Sequence, residues 1–397
     1  MNKITTLLLS AFFAVIVCAC SDESSDSSDV NGPNTRLSSS SQELSSGEEA
    51  DIFVEYVEPP TLSCENVQSI LVDSELDSTY YFSSIGFYGE NVIAVPYYFS
   101  KRGLVGHEDD PDSAPIYIKK NGDDSWQSVY ALENDSYNPT GNTICIVGNH
   151  LAFVRSSDKR NEGSEYEICH SADAEKWDCT PSQGSTWLTC DDEYFYKSDD
   201  EKLYYSKNAE DWTLINYKLG DRIEPIFDAF SNDSAHFIVV SFFTLAENRA
   251  DRYTALLYSK DMDNWDTNHV MGGLSYSLVR FNDLYIMSLD RSYHVNGNLY
   301  YSKDLKNWIP IKSVNDKYNF AGSTLAVSKG VLVVAGEGGG SDSRFVLASR
   351  NGKDFKEQCG GGAEYVRVFS DTLGNFYALR RNDFGSYGKY DIFRAKL

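Results

Sequence analysis

The side chains in this sequence best suited to ligand chemistry are arginines in polar stretches between strand-like segments. A guanidinium group pairs bidentately with a carboxylate or a sulfate, so arginines gathered from several loops would bind an acidic ligand. The candidate residues are Arg102, His107, Arg155, Arg222, Glu224, Arg291 and Arg380. They belong to predicted loops at 98–114, 155–165, 217–225, 244–253, 290–297 and 380–389. The alternative is that they are solvated loop charges, balanced by acids such as Asp109 and Asp158.

Catalytic chemistry has no comparable sequence signal. A carboxylate pair such as Glu224 and Asp290 could in principle act on a glycoside, but the sequence does not fix their separation. The sequence has no Gly-x-Ser-x-Gly elbow, P-loop, dinucleotide fingerprint or EF-hand loop. It also lacks Cys-x-x-Cys and His-x-x-x-His spacings. We therefore assign no catalytic residue and expect neither a cofactor nor a metal.

A repeated turn dominates the rest of the chain. Six segments read alike, each an aromatic-rich strand that leads into a turn, and five of the six Trp residues stand at one position in them. In most of these segments the turn reads Ser-x-Asp/Asn-x-x-x-Trp. Ser and Asp or Asn side chains accept hydrogen bonds from turn amides, while the large aromatic packs against an adjoining layer. The clearest copies are Ser171, Asp173, Trp177; Ser206, Asn208, Trp212; Ser259, Asp261, Trp265; and Ser302, Asp304, Trp308. Trp126 ends a further copy, and Ser349, Asn351 and Phe355 form another.

The spacing of these turns predicts a β-propeller. Two more strand-like runs precede each turn and its flanking strands, which gives four short strands every 40–50 residues. The turns resemble the Asp-box, or BNR-type, repeats of sialidase-like propellers, over about residues 64–397. That resemblance implies an all-β ring and no particular chemistry. A sialidase needs an arginine triad, a Tyr–Glu nucleophile pair and an acid Asp. Its Phe/Tyr-Arg-Ile-Pro motif is absent here, so no catalytic residue is carried over.

The chain ends predict how the ring closes. After Phe355 only three strand-like runs remain, at 364–369, 376–380 and 390–397. An apolar stretch near the start, Val67–Val72, has no partner of its own. We expect seven four-stranded blades, with this N-terminal stretch as the fourth strand of the last blade, because closure removes two exposed sheet edges.

The cysteines indicate an oxidising compartment. Without Cys18 and Cys20, six remain in a sequence that looks exported, which favours disulfides. One pairing follows from the hairpin register: if Ser171 opposes Trp177, then Cys169 opposes Cys179 across the ladder. The connectivity of Cys64, Cys145, Cys190 and Cys359 stays open.

The N-terminus predicts export and anchoring. Lys3 and an apolar run at 7–17 form a signal peptide that is too short to span a membrane. Val17-Cys18-Ala19-Cys20 resembles a bacterial lipobox, which implies cleavage after residue 19 and a lipid on Cys20. Ordinary secretion is the alternative. Residues 20–62 are rich in Ser and acids and are expected to be a disordered tether before a propeller at 63–397.

Charge and composition restrict the partners. The net charge of −24 argues against nucleic acid. We expect a monomer, anchored at the cell envelope on the outer membrane, with the side of the membrane left open. Two functions remain: a propeller that binds a glycan or protein without catalysis, or a glycan-active hydrolase or lyase on the same ring.

Overall fold

Nearly every regular element of the chain is a β-strand, as its short aromatic and β-branched runs between polar turns require. A computed structural model describes the residues that follow. They are 56–66, 80–98, 113–123, 126–133, 137–139, 144–159, 163–182, 186–199, 202–217, 223–246, 249–273, 275–289, 299–315, 320–338, 344–359, 364–371, 374–381 and 390–396. Within this part, no helix is long and apolar enough to cross a membrane.

The strands form seven antiparallel sheets, the blades of a β-propeller, as the sequence predicted. Blade 1 contains β2 (Tyr80–Tyr88), β3 (Asn91–Tyr98), β4 (Ser113–Lys119) and β5 (Gln127–Glu133). Blade 2 contains β6 (Tyr137–Pro139), β7 (Cys145–Val147), β8 (His150–Lys159), β9 (Gly163–Ser171) and β10 (Asp178–Ser182). Blade 3 contains β11 (Thr186–Cys190), β12 (Phe195–Asp199), β13 (Lys202–Ser206) and β14 (Thr213–Leu214).

The remaining blades follow the same order. Blade 4 contains β15 (Ile223–Asn232), β16 (Ala235–Ala246), β17 (Arg249–Ser259) and β18 (Asp266–Gly272). Blade 5 contains β19 (Ser275–Phe281), β20 (Leu284–Leu289), β21 (Leu299–Ser302) and β22 (Ile309–Pro310), followed by α1 (Lys312–Asn315). Blade 6 contains β23 (Phe320–Ser328), β24 (Val331–Gly338), β25 (Arg344–Ser349) and β26 (Lys356–Gln358). Blade 7 contains β27 (Glu364–Ser370), β28 (Asn375–Arg381), β29 (Tyr390–Lys396) and the N-terminal β1 (Ser63–Asn66).

The first strands of neighbouring blades contact one another and are called inner strands below. In blade 2 the inner strand is split, since β6 and β7 both pair with β8. Polar side chains on three inner strands accept a hydrogen bond from a backbone amide of the next blade. These bonds are Leu278 N to Asp228 Oδ2 (2.7 Å), Leu325 N to Ser277 Oγ (3.4 Å) and Val368 N to Thr324 Oγ1 (2.9 Å). They tie blades 4 to 7 together along their inner strands.

The repeated turn is held by its own side chains. In blade 4, Met262 N donates to Ser259 Oγ at 2.9 Å, and Asn264 N donates to Asp261 Oδ1 at 2.9 Å. The Trp265 indole then donates to the Met262 carbonyl at 3.1 Å. Hydrogen bonds to the Asp261 carboxylate, first from the Asn264 backbone amide and then from the Asn264 side chain, hold its pKa at about 2. The same serine, Asp or Asn, and indole bonds recur in the turns of blades 2 and 3.

The residue directly after the Asp or Asn adopts a left-handed conformation in the turns of blades 2 to 6. Its φ is 63° at Ala174, 62° at Ala209, 65° at Met262 and 61° at Leu305, and 77° at Gly352. Such angles strain a non-glycine residue, and glycine would relieve that strain. Four of the five copies nevertheless keep a side chain, which is buried against the blade core. We infer that the packing of this side chain offsets the strain.

Each repeat aromatic packs between its own blade and the preceding one. Trp177 of blade 2 lies in a cluster with Ile93 and Ile116 of blade 1, and Trp265 of blade 4 lies with Leu203 and Ile215 of blade 3. Trp212, Trp308 and Phe355 contact the preceding blade in the same way, and Trp126 of blade 1 packs with Tyr377 of blade 7. Six of the seven blade interfaces therefore contain such an aromatic wedge.

The interface between blades 6 and 7 is filled from the N-terminus instead. Leu62 stands directly before β1, the position that Trp265 holds before β18, and it is buried among core residues of blades 6 and 7. The Gln358 side chain of blade 6 accepts from Leu62 N and donates to the Pro60 carbonyl, each at 2.8 Å. Lys356 Nζ donates to Thr61 Oγ1 at 2.8 Å. Residues 57–62, which the sequence assigned to the tether, therefore pack along blade 6.

Two disulfides are present among the described cysteines. Cys169 and Cys179 are opposed in the β9–β10 ladder and bonded, which confirms the pairing predicted from register. Cys64 in β1 is bonded to Cys359 after β26, across 295 residues of sequence. The second bond joins the closing strand to blade 6, one of the pairings that the sequence left open.

Ring closure by an N-terminal strand is confirmed, but the sequence placed that strand a few residues too late. The strand that pairs with β29 is Ser63–Asn66, and Val67–Val72 lies outside the described residues. The predicted strand was chosen for continuous apolarity. An outermost strand needs only one inward face, and Leu62 and Cys64 provide it.

We expect the Cys64–Cys359 bond to contribute more stability than the Cys169–Cys179 bond. The chain-entropy estimate is about 6 kcal/mol for the long loop and about 3 kcal/mol for the short one. Urea unfolding of Cys64→Ser/Cys359→Ser and of its matched control Cys169→Ser/Cys179→Ser measures the difference. Equal losses, or a larger loss in the control, would contradict this assignment.

Candidate functional site

The topology gives the propeller two faces of different construction. Because neighbouring strands are antiparallel, the connections from first to second and from third to fourth strands lie at one end of each blade, the turn face. The connections from second to third strands and between blades lie at the other end, the loop face. On the turn face the third-to-fourth connections of blades 2 to 6 are each six residues long, as at 172–177 and 260–265. Loop-face connections reach from 99 to 112 in blade 1 and from 290 to 298 in blade 5.

The predicted ligand residues belong to the loop-face connections or to the strands that lead into them. Four of them lie outside the described residues: Arg102, His107, Arg222 and Arg291. Glu224 is near the start of β15 and Arg380 near the end of β28, both at the loop-face end of a strand, and their side chains are not described. The structure therefore brings none of these six together with another, and their convergence stays a prediction.

Arg155 lies within the described residues and forms an ion pair with a carboxylate. Its Nε donates to Glu167 Oε2 at 2.6 Å, across the β8–β9 ladder in which the two residues are opposed. Only 13% of the Arg155 side chain and 16% of the Glu167 side chain are exposed. This pair links two strands of blade 2, so Arg155 meets an acidic ligand only in competition with Glu167. The sequence had offered Asp158 as a balancing acid, whereas the structure uses Glu167.

Two of the predicted loops are largely strand. β8 continues to Lys159 and β9 begins at Gly163, so most of the predicted loop at 155–165 is a hairpin. Likewise β16 and β17 reach Ala246 and Arg249, within the predicted loop at 244–253. The polar sequences of these stretches resembled loops because antiparallel strands can carry polar residues as well as apolar ones.

The turn face contains a buried polar cluster that sequence reasoning missed. The Asp191 carboxylate, whose side chain is fully buried, accepts from Tyr196 Oη at 2.7 Å and contacts His236 Nδ1 at 2.7 Å. Its other oxygen accepts from the backbone amides of Glu193 and Tyr194, each at 2.8 Å. Burial, followed by the charge of Asp191, raises the pKa of the Tyr196 hydroxyl far above its ordinary value.

This cluster joins two blades. Asp191 and Tyr196 belong to blade 3, and His236 is near the start of β16 in blade 4. A carboxylate on Nδ1 fixes the imidazole orientation, an arrangement also used by catalytic and metal-binding histidines. Here the Tyr194 ring lies edge-on to the imidazole at 5.1 Å, and 15% of the His236 side chain is exposed. No sequence signal linked the residues, since 45 positions separate Asp191 from His236.

Asp228 is a second carboxylate at a blade junction. It accepts from Leu278 N at 2.7 Å and from Ala229 N at 2.9 Å, and Ser277 Oγ donates to it at 3.4 Å. The residue keeps some exposed surface, but desolvation of its carboxyl raises its pKa to about 6, against the opposite effect of those three bonds. Asp228 and the Asp191 cluster thus both act as links between blades.

Comparison with known proteins identifies the fold and nothing finer. The sequence matches no known family model and no curated protein. Among solved structures, it resembles the β-propeller domain of the Trilobed protease from Pyrococcus furiosus, with 13% identity, a TM-score of 0.50 and coverage of 80% of this chain and 95% of that one. It also resembles an acylaminoacyl peptidase from Pyrococcus horikoshii, with 10% identity, a TM-score of 0.50 and coverage of 80% of this chain and 51% of that one.

A microbial sialidase, Hadza Hz136, also matches, with 10% identity, a TM-score of 0.45 and coverage of 72% of this chain and 74% of that one. These identities are low, so the shared feature is the propeller itself. The activities of those proteins do not transfer to this chain.

The raised pKa of Asp228 predicts a pH effect of definite sign. Its carboxyl binds a proton more tightly when folded, with a pKa of about 6 against about 3.9 unfolded. Its contribution to the free energy of unfolding is therefore full below about pH 4 and falls by at most about 2–3 kcal/mol as the pH rises through 6. The side chain of Asp228→Asn does not titrate. Its free energy of unfolding should therefore be lower than that of the wild type at pH 4, and this difference should become smaller toward pH 7.

Urea unfolding at several pH values measures this narrowing. The exposed turn variant Asp263→Asn serves as the control for the loss of one acidic group. A deficit that stays constant or widens with pH would show that Asp228 is ionised in the folded protein throughout this range.

Proposed function

We propose that this propeller is a non-catalytic binding module for a glycan or protein that carries an acidic group. It is held at a bacterial cell envelope by a lipid on Cys20, and the ligand binds at the loop face. The resemblance of the turns to Asp-box repeats supports a propeller of the sialidase-like type, a ring used for many purposes.

One observation carries the proposal: the described polar groups of the turn face are occupied by contacts within the ring. On the turn face, the serine and the Asp or Asn of each described repeat bond the amides of their own turn. The buried carboxylates of the described residues also make protein contacts, because Asp191 binds Tyr196 and His236, and Asp228 binds the amide of Leu278. Groups that hold the ring together in this way are not free for acid–base chemistry.

The loop face has connections of unequal length between its strands and blades. Connections from several blades leave the ring there and differ in length, and binding residues commonly lie on such loops above a rigid scaffold. Arg102, Arg222 and Arg291 belong to those connections. In a chain with a net charge of −24, a local group of arginines would concentrate positive charge where an acidic ligand could pair with it.

The N-terminal segment fits display from a membrane. Residues 57–62 run along blade 6 before β1, and the Cys64–Cys359 disulfide lies just beyond them. A pull on the lipid-bearing end would be transmitted to blade 6 and to a covalent bond. The short β1–β29 ladder would then not carry the load alone.

The proposal predicts that ligand binding depends on the loop face. An array of neutral and acidic polysaccharides and envelope proteins, probed with the purified protein, should give a bound ligand without released product. Arg222→Ala/Arg291→Ala should weaken that binding about tenfold or more, on the scale of charge-assisted hydrogen bonds. The wild-type affinity should fall as salt rises, because exposed charge pairs are screened over about 8–10 Å.

The matched control is Lys260→Ala/Lys303→Ala, which removes two exposed cations from the turn face. If this control lost binding and the arginine variant did not, the ligand would bind at the turn face, and the proposal would be wrong. Release of sugar from a polysaccharide on the array would show that the protein is a glycan-active enzyme.

Lipid anchoring gives a separate prediction. In cells, the wild-type protein should fractionate with membranes and be released by detergent, because the lipid partitions into the bilayer. Cys20→Ala should be soluble, and Cys18→Ala is the matched control that keeps the anchor. Membrane retention of Cys20→Ala would contradict lipidation at this residue.

A further inference from the structure

Two cysteines that no disulfide uses face each other across one blade interface. Cys145 begins β7 on the inner strand of blade 2, and Cys190 ends β11 on the inner strand of blade 3. Both belong to the hydrophobic cluster between these blades, with Val147, Leu188 and Trp212. The strands β7 and β11 contact each other, which makes the two cysteines neighbours across this interface. Cys145 has no exposed surface, whereas Cys190 is partly exposed.

The surroundings favour oxidation over metal binding. The other four described cysteines are paired in two disulfides, so this fold matures where such bonds form. Burial, followed by the hydrogen bond with Cys190, raises the pKa of the Cys145 thiol well above its ordinary value. A thiol that resists ionisation is a poor metal ligand. Among the described residues, neither cysteine belongs to a group with metal-binding geometry.

We propose that Cys145 and Cys190 form a redox-active dithiol that closes to a third disulfide, linking blade 2 to blade 3. Cys190 is the entry point because it alone has exposed surface, and Cys145 is the resolving thiol. The oxidant is a disulfide, either of a small thiol or of a thiol–disulfide oxidoreductase.

The reaction balances as two exchanges. The Cys190 thiolate attacks the external disulfide, forms a mixed disulfide and releases one thiol. Cys145 then loses its proton and attacks the Cys190 sulfur, which forms the Cys145–Cys190 bond and releases the second thiol. The protein loses two hydrogens and two electrons, and the external disulfide gains them. The second exchange is the slower, because the buried Cys145 is seldom ionised.

The bond would reinforce the interface that contains the split inner strand. β7 has only three residues, and it is the separate second part of a split inner strand. The wedge at this interface, Trp212, is partly exposed, whereas Trp177, Trp265 and Trp308 are buried. A covalent link from β7 to β11 would add a bond between blades 2 and 3 at this short strand.

The test uses the full chain, isolated without reductant, reduced mildly under native conditions and exposed to oxidised glutathione. Thiols are then alkylated in denaturant, and peptides are mapped by mass spectrometry. We expect the wild type to lose two hydrogens and yield a linked Cys145–Cys190 peptide. Its urea midpoint should rise relative to that of the dithiol form.

Two variants test the order of events. Cys145→Ser should keep a stable glutathione adduct on Cys190, which also shows that the oxidant reaches the site. Cys190→Ser should leave Cys145 free and fully alkylated. The proposal is overturned if the wild type keeps both thiols after this treatment. An adduct on Cys145 in the Cys190→Ser variant would also overturn it.

Discussion

The propeller depends on one packing requirement, which is that each blade must bury a large side chain against the blade before it. A four-stranded blade has an apolar surface on both sides, and a twisted sheet leaves a gap toward the outer strand. The aromatic residue at the start of the fourth strand fills that gap, as Trp177, Trp265 and Trp308 do. Its indole also bonds the carbonyl of the preceding turn, so the turn geometry and the blade interface are fixed by the same side chain.

The closing interface shows how the requirement is met when the local chain cannot meet it. Blade 7 receives its fourth strand from the N-terminus, so no repeated turn leads into that strand. Leu62 takes the position of the aromatic, although it is smaller. The Gln358 amide bonds two backbone groups of the incoming segment, and the Cys64–Cys359 bond makes the closure covalent. The junction therefore replaces one aromatic wedge with a leucine, a polar clamp and a disulfide.

The two faces of the ring are built differently. Polar residues on the turn face hold turns and blades together, and Asp191 with His236 adds a bond between blades that spans 45 positions. Substitutions there would disturb the ring. Loop-face connections differ in length from blade to blade, and loops on a rigid scaffold tolerate such variation. A binding site that changes over evolution is more easily accommodated on the loop face.

The sequence alone determined the features that local chemistry repeats. The Ser, Asp and Trp spacing predicted the turns and the seven blades, and the hairpin register predicted the Cys169–Cys179 bond, because residues close in sequence set that geometry. Only the tertiary structure decided contacts between residues that are far apart in sequence. These include the identity of the closing strand, the Cys64–Cys359 bond, the Asp191–His236 contact and the meeting of Cys145 with Cys190. Most of these residues belong to different blades. Their distances depend on how the ring packs and closes, and no local pattern in a single sequence records that packing.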